Sequence, residues 1–537
     1  MTKLPETTCD SPIIPARMVW WMLGVLVVFT FPLFVCSPVT SDTSLFDLQA
    51  MNVQKGGVPY RDIVEPNLPG AVWIHLSLRS IVGWSSEAMR TADLLILLCT
   101  LTLLTWVVSG NQTNRARGLV RYVSPVFLFA CLLFYVTRNE WCHCQRDIWM
   151  MLPVSLALAI RFRRESVGGG SAIAEGVAWA LAFWIKPHVA IPAIAVMVVD
   201  CNRFGSIRTQ IKDGAFVVAG GVLAAIPGIW WLISTGAWEH FWDMMLTWNP
   251  EYLETGKARR SWERIDVMFQ RFYPWWLVHI AAIPVALMSL WNRFKPSIKA
   301  NLQSHRVWAL SACYIAWIAQ TFVLQHAMDY IHVPEVILAM AVLTAYPWKL
   351  ELPVRRVAVA ALLVLAVISM PQLRKGRPAV WLQCFTSGSS PQTRSVLAQG
   401  NFPNWEHIDN VRAFLKSQNA ADEDISCTNV HSVHLLKELN VLPANRYWSV
   451  NCLLTMFPSR YEQIMTTVND SRHRFVVVEE TETAYKGQVL PEVFPRQFPI
   501  VFESGTYKVY ATEPTAVAGR TETPLSRERT HAAVLHR

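Results

Sequence analysis

Residues 18–36 read MVWWMLGVLVVFTFPLFVC, a charge-free run long enough to cross a bilayer core, and the loop that follows carries SDTSLFD at residues 41–47. An apolar run near 20 residues satisfies its backbone hydrogen bonds in hydrocarbon only as a helix. Lys3 and Arg17 precede it, as basic residues precede a secretory leader. The run is long for a leader's apolar region, however, and no small-x-small cleavage pattern precedes Ser37. It is therefore read as an uncleaved first span, after a cytoplasmic N-terminus at residues 1–17.

Working outward, further apolar segments lie at residues 89–108, 122–136, 148–160, 172–185, 189–199, 215–233, 275–291, 307–324, 333–345 and 357–370. Of the 537 residues, 52% are hydrophobic and 16% charged, with a mean hydropathy of +0.26. A soluble globular chain carries roughly a quarter charged residues. The expectation is an all-α polytopic membrane bundle of about eleven transmembrane helices over residues 18–370, followed by a small extramembrane α/β domain. A net charge of +9 points to nucleic acid in a soluble protein. Here the basic residues gather between apolar runs and form no stripe on a soluble face, so nucleic-acid binding is set aside.

Basic residues recur in alternate loops: Arg115, Arg117 and Arg121; Arg161, Arg163 and Arg164; Arg203, Arg208 and Lys212; Arg293, Lys295, Lys299 and Arg306; Lys349, Arg355 and Arg356. The positive-inside rule makes these loops cytoplasmic and turns the intervening ones outward, as in a multi-pass protein of the cytoplasmic (inner) membrane with its C-terminal domain outside or periplasmic. The first outer loop covers residues 37–88. Its segment 70–83 is apolar but interrupted by His75 and Arg79, and counting it as a span would invert every later loop. It is read as an amphipathic helix along the outer interface. Tryptophans at span ends, such as Trp230, Trp231, Trp275 and Trp276, fit an aromatic belt.

Beyond residue 370 the texture changes. Asn404 is placed to cap a helix at 405–417, 431–439 and 460–468 read as helices, and 425–428, 474–478 and 500–510 read as strands. Residues 371–511 form the expected outer α/β domain and 512–537 a disordered tail. Of the eleven cysteines, Cys36, Cys99, Cys131 and Cys313 lie in apolar runs and read as small buried apolar residues. Cys142 and Cys144 flank His143 without the second pair that a metal site needs. Cys384, Cys427 and Cys452 fall in the outer domain, where one disulfide among them is open to formation.

Ionisable residues at membrane depth are costly and mark function by default. Here they collect on the outer side: Asp42, Asp47, Asp62 and Glu65 in the first loop; Arg138, Glu140, His143, Arg146 and Asp147 in the next; Lys186 and His188 on a tight turn; His326, Asp329 and His332 at a later one. In a compact bundle they would rim one cavity open outward, suited to a polar head group on a buried apolar tail. The basic run Lys257, Arg259, Arg260 and Arg264 reads as a solvated face or an anionic-lipid or glycan contact.

The first loop continues GGVPYRDIVEPNLPG over residues 56–70. An acid soon after the first span, then a glycine, a Pro-Tyr-x-Asp element and an acidic-x-x-Pro element resembles the GT-C superfamily of polyprenol-dependent glycosyltransferases, which includes the protein O-mannosyltransferases and the lipid A aminoarabinose transferases. Gln145–Arg146–Asp147, Lys186–Pro187–His188, and Gln325 with His332 resemble later elements of that family in the expected order, over roughly residues 18–345. Two departures stand out. Thr43 occupies the place of a second acid, and Ala327 that of a lysine after the late-loop glutamine.

The resemblance implies an inverting transferase that moves a sugar from a polyprenyl-phosphate donor to a glycan, lipid or protein acceptor, among membrane lipids and without a nucleotide. It leaves the metal ligands unknown and room for a divalent cation. It places Asp42 as catalytic base, with Asp47 as second choice. Lys186 and Arg146 become phosphate partners, while Asp62, Glu65, His188 and His332 become substrate contacts. Structural alternatives stand beside these roles: Asp42 as a helix N-cap, Lys186 snorkelling to lipid head groups, and Arg146 paired with Asp147. A transporter or flippase would place its charges nearer the midplane and show half-repeats, which this sequence lacks. A non-catalytic scaffold would not depend on Asp42.

Overall fold

The computed structural model describes residues 16–109, 117–164, 169–204, 206–258, 261–295, 301–325, 328–347, 364, 377–398, 403–480 and 494–512. The chain opens with helices α1 (Ala16–Cys36), α2 (Ser41–Gln54), α3 (Gly70–Val82), α4 (Ser86–Ser109) and α5 (Arg117–Val136). Helices Met151–Arg163, Gly169–Ile185, Ala190–Val199, Ile207–Ser234, Leu277–Asn292, Leu302–Leu324 and Val333–Ala345 follow. Each overlaps an apolar segment of the sequence; the last such segment, 357–370, lies outside the described residues.

The described helices do not confirm the expected count of about eleven spans. Among the described residues four helices are long and apolar enough to cross a membrane, or five when Trp262–Phe272 and Leu277–Asn292, bent by 101°, are taken as one span. The other segments form shorter apolar helices, such as Gly169–Ile185 and Pro187–Val199. Their ends have local causes: Met151–Arg163 stops in a basic turn, and Pro187 interrupts the chain after Ile185.

Two glycines set the closest helix crossing. A Cβ at Gly176 would lie 1.9 Å from the Val217 carbonyl oxygen, and one at Gly220 would lie 2.0 Å from that of Ile173. Helices Gly169–Ile185 and Ile207–Ser234 therefore meet backbone to backbone, as small residues permit between membrane helices. At the end of the bundle remote from the C-terminal domain, several loop arginines are buried in ion pairs. Arg161 donates to Glu175 (2.7 Å) and Asp200 (3.0 Å), while Arg164 donates to Glu175 and Asp213 (2.6 Å each). His305 shares a 2.8 Å hydrogen bond with Asp200.

The C-terminal region holds a four-stranded sheet of β1 (Ile425–Cys427), β2 (Phe475–Glu479), β3 (Ile500–Ser504) and β4 (Tyr507–Ala511), in the order β1-β2-β4-β3. β1 and β2 run parallel, and β4 runs antiparallel to both β2 and β3. The single strand expected over 500–510 is thus a hairpin, turned at Gly505 with φ +57°. Asn404 caps helix Trp405–Ser417, accepting from the backbone N–H of Glu406 at 3.0 Å. No disulfide joins Cys384, Cys427 and Cys452 among the described residues.

This domain grips α2. Ser41 Oγ and His431 Nδ1 share a hydrogen bond of 2.9 Å, and Ser44 Oγ and His434 Nδ1 one of 2.8 Å. Trp448 Nε1 donates to the Val64 carbonyl at 3.2 Å, and Val64 N–H to the Arg446 carbonyl at 3.0 Å. First loop and domain share one apolar core that includes Leu48, Ile63, Val64, Leu436 and Trp448.

Candidate functional site

Helix α2 starts one turn beyond α1. Thr40 is its N-cap, its Oγ1 accepting from Thr43 N–H at 3.2 Å. Asp42 is therefore not the cap; it stands in the first turn, where a carboxylate also gains from the helix dipole. Its side chain is half-buried and takes a hydrogen bond from Gln145. Burial pushes the Asp42 carboxyl above its ordinary value, against the pull of the Arg146 guanidinium and, more weakly, of the Lys186 ammonium. Its charge environment thus joins α2, the short helix Arg146–Trp149 and the Lys186–Pro187 turn.

Lys186 is buried and donates to Asp147 Oδ1 at 2.7 Å. Burial pushes its ammonium down to about 8, with Asp147 pulling the other way. Asp147 is thus the partner of Lys186. The Arg146 guanidinium makes no hydrogen bond or ion pair among the described residues, and its field reaches Tyr330, Asp147, Tyr252 and Glu65. Glu65 is buried, accepting from Gln49 Nε2 at 2.8 Å and from Asn67 N–H at 3.0 Å; burial raises its carboxyl against Arg146.

The two cations of this set, Arg146 and Lys186, border a cavity of about 180 Å³ between the bundle, the first loop and helix Asn249–Ala258, whereas Asp42, Glu65 and Asp147 are not among its lining residues. Arg146, Lys186 and His188 line it, with Asn67, Tyr252 and Tyr330. Sequence reasoning missed the two tyrosines. Tyr252 follows a long loop with no motif and Tyr330 sits in a one-turn helix, so no spacing signalled either.

Three sequence candidates fall elsewhere. Asp47 is fully buried on the other side of α2, sharing a 2.8 Å hydrogen bond with His75 Nδ1 and accepting 2.7 Å from Arg79 Nε, with a second bond from the same guanidinium. The acidic face expected to join Asp42 and Asp47 is absent because five helical residues turn the two side chains apart. His75 and Arg79, which interrupt the apolar pattern of α3, turn inward to this carboxylate. Asp62 holds the loop, its Oδ2 accepting from Val58 N–H at 2.6 Å and its Oδ1 from Arg61 Nε at 2.6 Å. His332 bonds Glu335 at 2.9 Å and lines a separate, apolar cavity of about 460 Å³ with Phe272, Trp276 and His279. His326 lies outside the described residues.

No group of three or more His, Cys, Asp or Glu side chains among the described residues could hold a metal ion. The acids near the cavity are each answered by protein donors: Asp147 by Lys186, Glu65 by Gln49 and Asn67, Asp42 by Gln145. The arrangement offers a carboxylate of raised pKa beside two cations, one of them uncommitted, which serves proton abstraction and the binding of a phosphate in one place.

No protein-family model matches the chain, and no curated protein matches it in sequence. Among solved structures it is similar to ArnT from Cupriavidus metallidurans bound to undecaprenyl phosphate, with 12% identity, 94% of this chain and 99% of that chain covered, and a TM-score of 0.56. The apo state of the same protein gives 13% identity, 92% and 97% coverage, and a TM-score of 0.56. The archaeal oligosaccharyltransferase AglB from Archaeoglobus fulgidus, in complex with an inhibitory peptide and a dolichol-phosphate, gives 12% identity, 85% and 69% coverage, and a TM-score of 0.46. The helical bundle with its domain-braced first loop thus has the fold of ArnT, matched over nearly the whole length of that chain.

Proposed function

We propose that this protein is a membrane glycosyltransferase that moves a sugar from a polyprenyl-phosphate carrier to an acceptor hydroxyl at the outer face of the membrane. One observation carries the proposal: the Asp42 carboxyl shares its electrostatic environment with Arg146 and Lys186, which line one cavity, and the Arg146 guanidinium makes no hydrogen bond or ion pair among the described residues. The undecaprenyl phosphate bound to ArnT supports a lipid-linked donor.

In the reaction, Asp42 takes the proton of the acceptor hydroxyl as its oxygen attacks the anomeric carbon. The bond from that carbon to the phosphate oxygen breaks, and the electron pair leaves with the polyprenyl phosphate. Arg146 and Lys186 neutralise the charge that develops on it. A single displacement inverts the anomeric centre. With the N-terminus cytoplasmic, the cavity and the C-terminal domain face outward, where the acceptor is a glycan, lipid or protein. His188 and the two tyrosines are placed to contact the sugar.

The test compares lipid-linked sugars and surface glycans by mass spectrometry in cells carrying the wild-type protein, Asp42→Asn at equal abundance, or no protein. Both altered strains should accumulate one polyprenyl phosphate sugar and lose one residue from a glycan. An unchanged profile in the deletion strain, with the wild-type protein expressed, would overturn the assignment.

A further inference from the structure

A second cleft lies on the opposite side of α2 from the Asp42 cavity, between the C-terminal end of α2, the turn from α3 to α4, and the C-terminal domain. Its volume is about 760 Å³, and Lys55, Glu87, Arg394, Arg412, Lys437 and Glu438 supply its charges. Most pair off. Lys55 donates to Asp422 at 2.7 Å, Arg394 to Glu438 at 2.6 Å, and Arg412 to Asp409. Two do not: among the described residues the Lys437 ammonium and the Glu87 carboxylate have neither a hydrogen bond nor an ion pair.

Two further observations point to a ligand. Arg394 is 8% exposed, and its buried Nε has no hydrogen-bond partner; neither has the buried Nε of Arg412. Buried donors without partners are rare in folded proteins and call for an occupant. Burial also pushes the Lys437 ammonium below its ordinary value, a cost that a neighbouring anion would remove. The depth of the cleft is set by spanning helices. Ser86 and Glu87 begin α4, and Ser389 donates to the carbonyl of Cys36, the last residue of α1. Its floor therefore lies where head groups begin.

We propose that this cleft binds a zwitterionic phospholipid head group carrying a phosphate and a primary ammonium, with Lys437 and the orphaned Arg394 and Arg412 donors on the phosphate and Glu87 on the ammonium. The leftover charges select it: one cation and one carboxylate favour a ligand with one of each, whereas a purely anionic head group would leave Glu87 opposed. Lys437 and Glu87 take no part in the transfer chemistry assigned to Asp42, so this site stands or falls apart from that function.

The experiment is native mass spectrometry of the full chain, released from nanodiscs of equimolar phosphatidylethanolamine, phosphatidylglycerol and phosphatidylcholine. The wild type should retain one phosphatidylethanolamine in preference to both others. Lys437→Ala should lower retention of phosphatidylethanolamine and phosphatidylglycerol about tenfold, the loss of one close charge pair. Glu87→Gln should abolish the preference over phosphatidylglycerol, which lacks the ammonium, while leaving retention of phosphatidylethanolamine through its phosphate. Soluble phosphoethanolamine, titrated against the protein in detergent, separates a lipid site from one for the free head group; saturation at micromolar concentration would overturn the lipid assignment. Equal retention of all three lipids, or retention indifferent to both variants, would overturn the site. A Glu87→Gln protein that keeps its selectivity while Lys437→Ala loses phosphatidylglycerol alone would make it a plain anion site and overturn the zwitterion assignment. Melting temperatures matching the wild type confirm that each variant is folded.

Discussion

Lys186 Nζ stands 2.7 Å from Asp147 Oδ1, so the cation proposed to receive a departing phosphate is held by a carboxylate adjacent in sequence to the second cation, Arg146. Burial brings this ammonium to about 8, close to working pH. It carries its charge below that value and loses it above. In the free enzyme, kcat/KM for the lipid-linked donor should therefore fall as pH rises through about 8. Lys186→Arg, with a guanidinium that stays charged, should keep activity at pH 9 if it preserves the contact with Asp147. A variant showing the same alkaline break would remove Lys186 from phosphate binding.

The acid limb belongs to Asp42. Its carboxyl is raised by burial, so the base is lost as pH falls through a value above the ordinary aspartate range. Asp42→Asn should lower kcat by about 10²–10⁴-fold, the range for removing a general base, with little change in melting temperature. Donor binding, measured separately, should survive because both cations remain.

Asp47→Asn should do the reverse. Its carboxyl is held down at about 2 because hydrogen bonds and charge from His75 and Arg79 outweigh its burial. A depressed carboxylate stabilises the fold above its unfolded value near 4 and loses that contribution as pH falls towards 2. The amide would leave Arg79 buried without its counter-charge, a loss of about 3–5 kcal/mol. Thermal unfolding in detergent should show a large drop at pH 7, and the folded fraction should keep its specific activity. A stable but inactive Asp47→Asn would reinstate Asp47 as a catalyst.

Much of this division was legible in the sequence, and the failures have physical causes. Apolar runs mark the helices because hydrocarbon demands them, and Asn404 marks a cap because its side chain can bond two free N–H groups. Asp42, Arg146 and Lys186 could be named from the order of their motifs. Their separation from Asp47 could not, since a helix beginning at Ser41 and one beginning near Ser44 turn the same residues to different sides. The loop arginines Arg161 and Arg164 were counted as topological charges. In the fold they are buried partners of Glu175, Asp200 and Asp213, because glycines at the crossing bring Gly169–Ile185 close to its neighbour. Span number is not decided by the helices alone, since short apolar helices can cross together with a neighbour or lie buried in the bundle.

Arg146 differs from Lys186 in having no hydrogen-bond or ion-pair partner among the described residues. Arg146→Ala should fold normally and weaken donor binding, raising KM about tenfold or more, as expected for a phosphate contact made by a charged hydrogen bond. Arg146→Lys should recover part of this, because a point charge replaces attraction but not the two-pronged geometry. The check is a kinetic series at saturating acceptor with varied donor. Wild-type KM in Arg146→Ala would mean that the guanidinium serves the fold or the acceptor instead.

Glu175 tests whether the remote ion network holds the bundle together. Its carboxylate accepts from Arg161 Nε at 2.7 Å, from Arg164 at 2.6 Å and from Trp179 Nε1 at 3.3 Å, with all three donors buried. Glu175→Gln keeps the shape but removes the charge, leaving two buried guanidinium groups against Asp200 and Asp213 alone. Breaking a buried ion network from one side costs about 3–5 kcal/mol, since the remaining charges stay desolvated. Glu175→Leu should be no better, because it fills the volume and still strands both arginines. Joint replacement of Glu175, Arg161, Arg164 and Asp213 by apolar residues of similar size, with Asp200 keeping His305 and Arg203, should recover stability towards the wild type. Melting curves of the three proteins in one detergent decide the matter: similar midpoints throughout would show that the network is solvated and contributes little.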